Sequence, residues 1–187
     1  MVRSVPENAH RHRLGDQVKT VYENPWFRVI QDGRFHYIKE TGADNGAVVL
    51  ARQGGDFLFV RVRRPAHGDT FIEAPRGYGE PGESAAGCAA RELCEETGYT
   101  VPPQALVALG RLRPNSAIFA SSVQAFFAEI PMEAAPVATD GETEGLVRIA
   151  ETDLHQALAD GRLGDGFTLA ALALFWALRP GDRPGAG

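Results

Sequence analysis

Glu92, Glu95 and Glu96, with Glu83 and Arg91 shortly before them, combine side-chain types and a spacing that suit chemistry on a charged substrate. On a helix turning about 100° per residue, positions i, i+3 and i+4 fall within an arc of about 100°, so the three carboxylates share a face. Ala86, Ala90, Leu93 and Thr97 gather on a different arc, able to pack on a core. Like charges at this spacing cost a helix about 0.2–0.5 kcal/mol per pair, so a positive partner is expected. Oxygen-only ligands suit hard divalent cations, Mg²⁺ or Mn²⁺, which in turn bind phosphate oxygens. The alternative is a solvated acidic helix face. The flanking residues decide between the two.

Gly77, then five residues, Glu83, then seven residues, and Arg91-Glu92-Leu93-x-Glu95-Glu96-x-Gly98-Tyr99 together resemble the signature of the Nudix hydrolases. Eight fixed positions at a chance of about 0.07 each arise on the order of 10⁻⁹ per starting point, from average residue usage. Tyr99 stands where that family usually has an aliphatic residue. Gly77-x-Gly79-x-x-Gly82 also fits a dinucleotide-binding loop. That alternative fails on chemistry: Pro81 lacks a backbone N–H for a pyrophosphate, and Glu80 and Glu83 repel one.

The elements that must position these residues follow from the rest of the chain. With 187 residues, 44% hydrophobic and 23% charged, it is long enough for one domain with a full core plus a small appendage. A net charge of −5 argues against a general nucleic-acid or membrane-surface binder. Cys88 and Cys94, six residues apart on one helix, lie about 9 Å from each other and cannot be bridged. Two thiols without a disulfide framework fit a reducing cytoplasm. No signal core opens the chain and no apolar run reaches membrane-spanning length.

Residues 1–17 read as a flexible arm, with metal capture by His10 and His12 as an alternative. Residues 18–45 read as a strand unit: Val21, Trp26–Ile30, a turn at Asp32-Gly33, and Phe35–Ile38. The main domain is expected over 46–179, beginning with the buried strand Ala47–Ala51 and followed by Phe57–Arg63 and Thr70–Glu73. Ser84 opens the acidic helix as N-cap and Gly98 closes it. Gly87 within it suggests a close backbone approach. Strands around Ala105–Leu112, Val123–Ile130 and Leu146–Ile149 come next, then a helix over Thr152–Asp160 and a buried helix to Leu178. The Pro- and Gly-rich tail, 180–187, reads as disordered. The pattern is α/β, a mixed sheet covered on both faces. It agrees with the α/β/α sandwich that the Nudix resemblance implies, preceded by a small N-terminal hairpin unit.

Further segments resemble the ADP-ribose pyrophosphatase branch: Glu23–Arg28, Val60–Ala66, Asp165–Leu169, and Pro114, fifteen residues past Tyr99. The resemblance implies Mg²⁺- or Mn²⁺-dependent hydrolysis of a nucleoside diphosphate linked to another group. It makes Glu92, Glu95, Glu96 and the backbone carbonyl of Arg76 the metal ligands, and Glu83 with Arg91 a structural ion pair. For general base it points to a loop glutamate, Glu144 or Glu142, with activation by a signature glutamate such as Glu92 as the alternative. Arg63, Arg64 and Glu73 are candidates for binding substrate. The branch also implies a homodimer through the N-terminal strands, where Trp26 and Phe27 serve as anchors or as stacking groups for the base. A side chain as large as Arg76 departs from the small residue usual there. That change, and the small residues over Ala117–Ser122, keep GDP-mannose-type nucleotide sugars and other dinucleotides open beside ADP-ribose. A Nudix fold that binds without turnover is the second hypothesis.

Overall fold

A strand in which every residue is buried needs a sheet covered on both faces, and Ala47–Ala51 is such a strand. The computed structural model describes residues 18–141 and 143–178; the expected arm, the tail and Glu142 lie outside the described residues. In chain order the elements are β1 (Lys19–Glu23), β2 (Phe27–Asp32), β3 (Phe35–Glu40), β4 (Ala47–Gln53), β5 (Asp56–Arg64), β6 (Asp69–Glu73), β7 (Arg76–Gly77), α1 (Ala85–Thr97), β8 (Val107–Leu112), β9 (Val123–Glu129), β10 (Gly145–Ala150), α2 (Leu154–Ala159) and α3 (Gly166–Leu178).

The main sheet runs β10-β5-β4-β9-β8 and is mixed, since β4 pairs parallel with β9 while its other pairings are antiparallel. Alternation along β4 sends Ala47, Val49 and Ala51 to the face packed by Cys88, Ala89 and Leu93 of α1. Val48 and Leu50 go to the opposite face, against Leu154, Leu172 and Phe175 of α2 and α3. These are the three layers expected.

Several details differ from the sequence expectation. The N-terminal unit is a three-stranded antiparallel sheet, because the polar stretch Lys19–Glu23 also pairs, with a register shift between Thr20 and Tyr22. Helix α3 buries one face, and Leu169 on it is exposed. The expected helix over Thr152–Asp160 divides into a 3₁₀ turn, Glu151–Asp153, and the short α2. On α1 the buried stripe is Cys88, Ala89, Leu93 and Thr97. Gly87 faces the side chains of Glu83 and Ser84 rather than a neighbouring backbone. Among the described residues no helix is long and apolar enough to cross a membrane.

One topological feature opens space for a site. β4 and β5 pair only over Ala51–Gln53 and Asp56–Leu58, then separate. Beyond the fork β5 pairs with β6 and β4 pairs with the two-residue β7, missed from sequence because so short a strand has no periodicity. Helix α1 lies across this fork. Its N-terminus is capped by Ser84, whose side chain accepts from the Gly87 N–H, and its C-terminus ends at Gly98 with φ 77°. A Cβ on Gly98 would collide with the Val137 carbonyl.

The caps predict a ranking. Ser84→Ala should lower unfolding free energy by about 1 kcal/mol. Gly98→Ala should lower it further, because a left-handed conformation alone costs a side chain about 1–2 kcal/mol and the collision adds to that. Urea denaturation of both variants checks the order; equal losses would contradict it.

Candidate active site

Arg91, on the second turn of α1, presents a planar fork of donors to several acceptors. Its Nε and Nη2 reach the two Glu83 oxygens at 3.0 and 3.1 Å, and Nη2 also donates to the Tyr78 carbonyl at 2.9 Å. Nη1 donates to Glu92 and to Glu95, each at 2.8 Å. The Arg91–Glu83 pairing expected from the resemblance is thus present, and it ties the loop before α1 to the helix. Asn45 pins the same loop by donating to the Glu80 and Glu83 carbonyls at 2.8 and 3.1 Å. A Cβ on Gly77 would overlap the Glu92 carboxylate, so a side chain there would displace that carboxylate from its present position.

The last carbonyls of a helix lack intrahelical partners, and a loop satisfies them here. Val137 N–H donates to the Gly98 carbonyl at 2.8 Å, Asp140 N–H to that of Glu95 at 3.1 Å, and the Thr143 hydroxyl to that of Glu96 at 3.4 Å. The chain after β9 is thereby laid along α1 and delivered to the fork.

The fork holds a cavity of about 430 Å³ whose wall includes Glu40, Arg64, Arg76, Glu92, Glu96 and Thr143. Glu92 and Glu96 come together in it, while Glu95 points to Arg91. Alternation on β5 sends Val62 and Arg64 into the cavity and leaves Arg63 exposed on the other face. Glu73, only 2% exposed, lies behind Arg64, receiving Nε and Nη2 at 2.9 and 2.5 Å, and accepts from Arg76 at 2.8 Å. Glu144 is exposed at the start of β10, where its carboxylate accepts from the Thr70 hydroxyl at 3.2 Å. Pro114 is exposed on the loop after β8, and neither it nor Trp26 nor Phe27 is part of the cavity wall.

Glu40, Thr143 and Phe167 are among the wall residues that went unremarked in the sequence. Glu40 ends β3, accepting from the Tyr78 hydroxyl at 2.7 Å and the Ser121 hydroxyl at 3.0 Å. Thr143 arrives from the loop before β10 and Phe167 from the first turn of α3. Only Phe167 had a signal, inside the segment Asp165–Leu169.

The charges are unevenly satisfied. Burial opposes the ionised form of Glu73, but Arg64 and Arg76 outweigh it and hold the carboxyl below its ordinary range. The Arg91 hydrogen bond likewise lowers Glu83. Burial raises Glu92 despite Arg91, and burial together with the charge of Glu92 pushes Glu96 up to about 8. Among the described residues the one hydrogen bond to the Glu96 carboxylate comes from the Arg76 N–H, at 3.1 Å. Two adjacent half-buried carboxylates, of which Glu92 meets Arg91 and Glu96 has no cationic side chain in hydrogen-bond contact among the described residues, fit a divalent cation, and their all-oxygen chemistry fits Mg²⁺ or Mn²⁺. Among the described residues no three carboxylate, His or Cys side chains already enclose a point where a cation would sit.

Compared with known families, residues 42–166, more than half of the chain, match the NUDIX domain. The chain belongs to the Nudix family. Within this Nudix chain, 70 residues are 40% identical to the NAD-capped RNA hydrolase NudC of Stutzerimonas stutzeri (strain A1501), covering 37% of the chain and 25% of that protein. The chain thus matches about a quarter of that relative's length. The crystal structure of an ADP compounds hydrolase superposes with a TM-score of 0.67 at 21% identity, over 89% of this chain and 95% of that one, and so shares the Nudix fold.

A proton balance tests the carboxylate pair. Metal ligands must be deprotonated, and Glu96 is raised from 4.5 to about 8, so at pH 7 it is mainly protonated before a cation binds. Mn²⁺ binding at pH 7 should release about one proton, and affinity should increase as pH rises towards 8 and level off above it. Calorimetry in buffers of different ionisation enthalpy measures this. Binding without proton release would refute the assignment of Glu96.

Proposed function

We propose that this Nudix chain hydrolyses the diphosphate of ADP-ribose or a related nucleoside diphosphate sugar, yielding a nucleoside monophosphate and a sugar phosphate. Water attacks one phosphorus as the bond from that phosphorus to the bridging oxygen breaks, and the bridging oxygen leaves on the other phosphate. The reading is carried by the under-compensated pair Glu92 and Glu96 in one cavity wall with Arg64. The sequence resemblance to the ADP-ribose pyrophosphatase branch supports the substrate class, and the shared fold with an ADP compounds hydrolase agrees with it.

Glu92, Glu95, Glu96 and the backbone carbonyl of Arg76 would hold Mg²⁺ or Mn²⁺. Such a cation neutralises phosphate charge and lowers the pKa of bound water. Arg91 with Glu83 fixes the carboxylates, which sets the geometry on which rate depends. Arg64 orients phosphate from the cavity wall, with Glu73 behind it. Glu144 is the candidate base: it follows Thr143, which lies in the cavity wall and hydrogen-bonds α1. Two unbridged cysteines accord with a cytoplasmic setting. The N-terminal sheet leaves Tyr22, Phe35 and Trp26 exposed, Trp26 at 69%, and a second copy of the chain is the proposed cover.

Chromatography of a nucleotide panel with Mg²⁺ should show AMP released from ADP-ribose. Glu96→Gln should reduce turnover by more than the roughly 10–100-fold of an outer-shell partner, and Glu144→Gln by about 10²–10⁴-fold. Nucleotide binding without turnover of any panel member would favour a non-catalytic module; loss only in Glu142→Gln would reassign the base. Light scattering should give a dimer that Trp26→Ala weakens, and a monomeric wild type would exclude that assembly.

A further inference from the structure

A second cavity, of about 320 Å³, lies beside the first, formed by the β5–β6 turn and the segment before α3. The two share only Arg64 and Arg76 as wall residues. The partition between them is thus a chain of ion pairs, Arg64 to Glu73 to Arg76 to Asp165. Its two arginines are unequally held. Arg64 grips both Glu73 oxygens, whereas Arg76 uses one nitrogen, Nη2, for both Glu73 and, at 3.4 Å, Asp165. The Arg76 guanidinium lies 4.4 Å from the centre of the Phe167 ring, and its Nε is buried with no hydrogen-bond partner. Leaving a buried donor unpaired is costly, so pairing with Glu73 does not by itself account for this placement of the side chain.

The second cavity has the walls of a ring-binding slot. Pro65, Ala66 and Phe71 supply apolar surface, with the His67 ring edge-on to Phe71 at 5.2 Å between centroids. Its volume is at the small end of ligand pockets. We propose that Arg76 is a specificity-determining residue: its side chain closes this slot to the group beyond the diphosphate, and the slot accepts a planar heterocyclic ring once that side chain is removed or shortened. This rests on the diphosphatase reading above. The diphosphate itself stays in the first cavity, and only the far group meets the wall. Glu73 keeps its bidentate Arg64 partner in either variant below, so the fold tolerates the change.

The test compares kcat/KM for ADP-ribose and for diadenosine diphosphate, which share the ADP half, in wild type, Arg76→Ala and Arg76→Gln with Mg²⁺. Glutamine is shorter but still able to hydrogen-bond Glu73, and it decides the matter if the alanine variant does not fold. The ratio of diadenosine diphosphate to ADP-ribose should rise about tenfold or more in Arg76→Ala and less in Arg76→Gln. Equal losses for both compounds, leaving the ratio unchanged, would overturn the proposal and make Arg76 merely structural. If wild type turns over neither compound, the diphosphatase reading fails separately, and the same ratio is read from calorimetric dissociation constants. A raised ratio there supports the wall; an unchanged ratio or absence of binding overturns it.

Discussion

Arg91 joins groups that would otherwise repel one another. Glu83, Glu92 and Glu95 converge on its guanidinium, and the backbone carbonyl of Tyr78 takes a further N–H. Lysine, a single point charge, could not make this set of contacts, because two of them depend on the fork of donors matching a carboxylate. The pairing also links two levels of structure. It fixes the loop of Gly77–Glu83 against α1 and holds the Glu92 and Glu95 carboxylates by their hydrogen bonds. Glu96 is left outside the arrangement, half-buried and next to Glu92, and on the proposal made above that omission is what suits the cavity to a cation.

The opposite wall follows a different rule. Glu73 is as buried as a core residue, yet it stays ionised because two guanidinium groups meet it. Those pairs offset much of the positive charge of Arg64 and Arg76, and the same cavity wall carries Glu40, Glu92 and Glu96. The forked sheet makes room for both walls: β4 and β5 diverge, β6 carries Glu73 on one branch and β7 carries Arg76 on the other.

Much of this was legible in the chain because it is local. The spacing of Glu92, Glu95 and Glu96, the cap at Ser84, the glycine at position 98 and the alternation of β4 all act over a few residues. The same alternation, applied to Val60–Arg64, would have separated Arg63 from Arg64 and paired Arg64 with Val62. Other features depend on contacts between distant segments. Arg76 meets Asp165, and Glu40 meets Ser121, 81 residues away. No periodicity announces such meetings. The strand Lys19–Glu23 was obscure for another reason: all of it is exposed, so burial leaves no pattern to read.

The central claim is that the pair Glu92 and Glu96 exists to hold a divalent cation against a diphosphate. Anomalous scattering from crystals grown with Mn²⁺ and ADP-ribose tests it most directly. The account predicts a peak within about 2.1–2.2 Å of carboxylate oxygens from both glutamates, with the diphosphate alongside. Manganese bound elsewhere, or ADP-ribose seated in the cavity while both carboxylates remain free of metal, would contradict it.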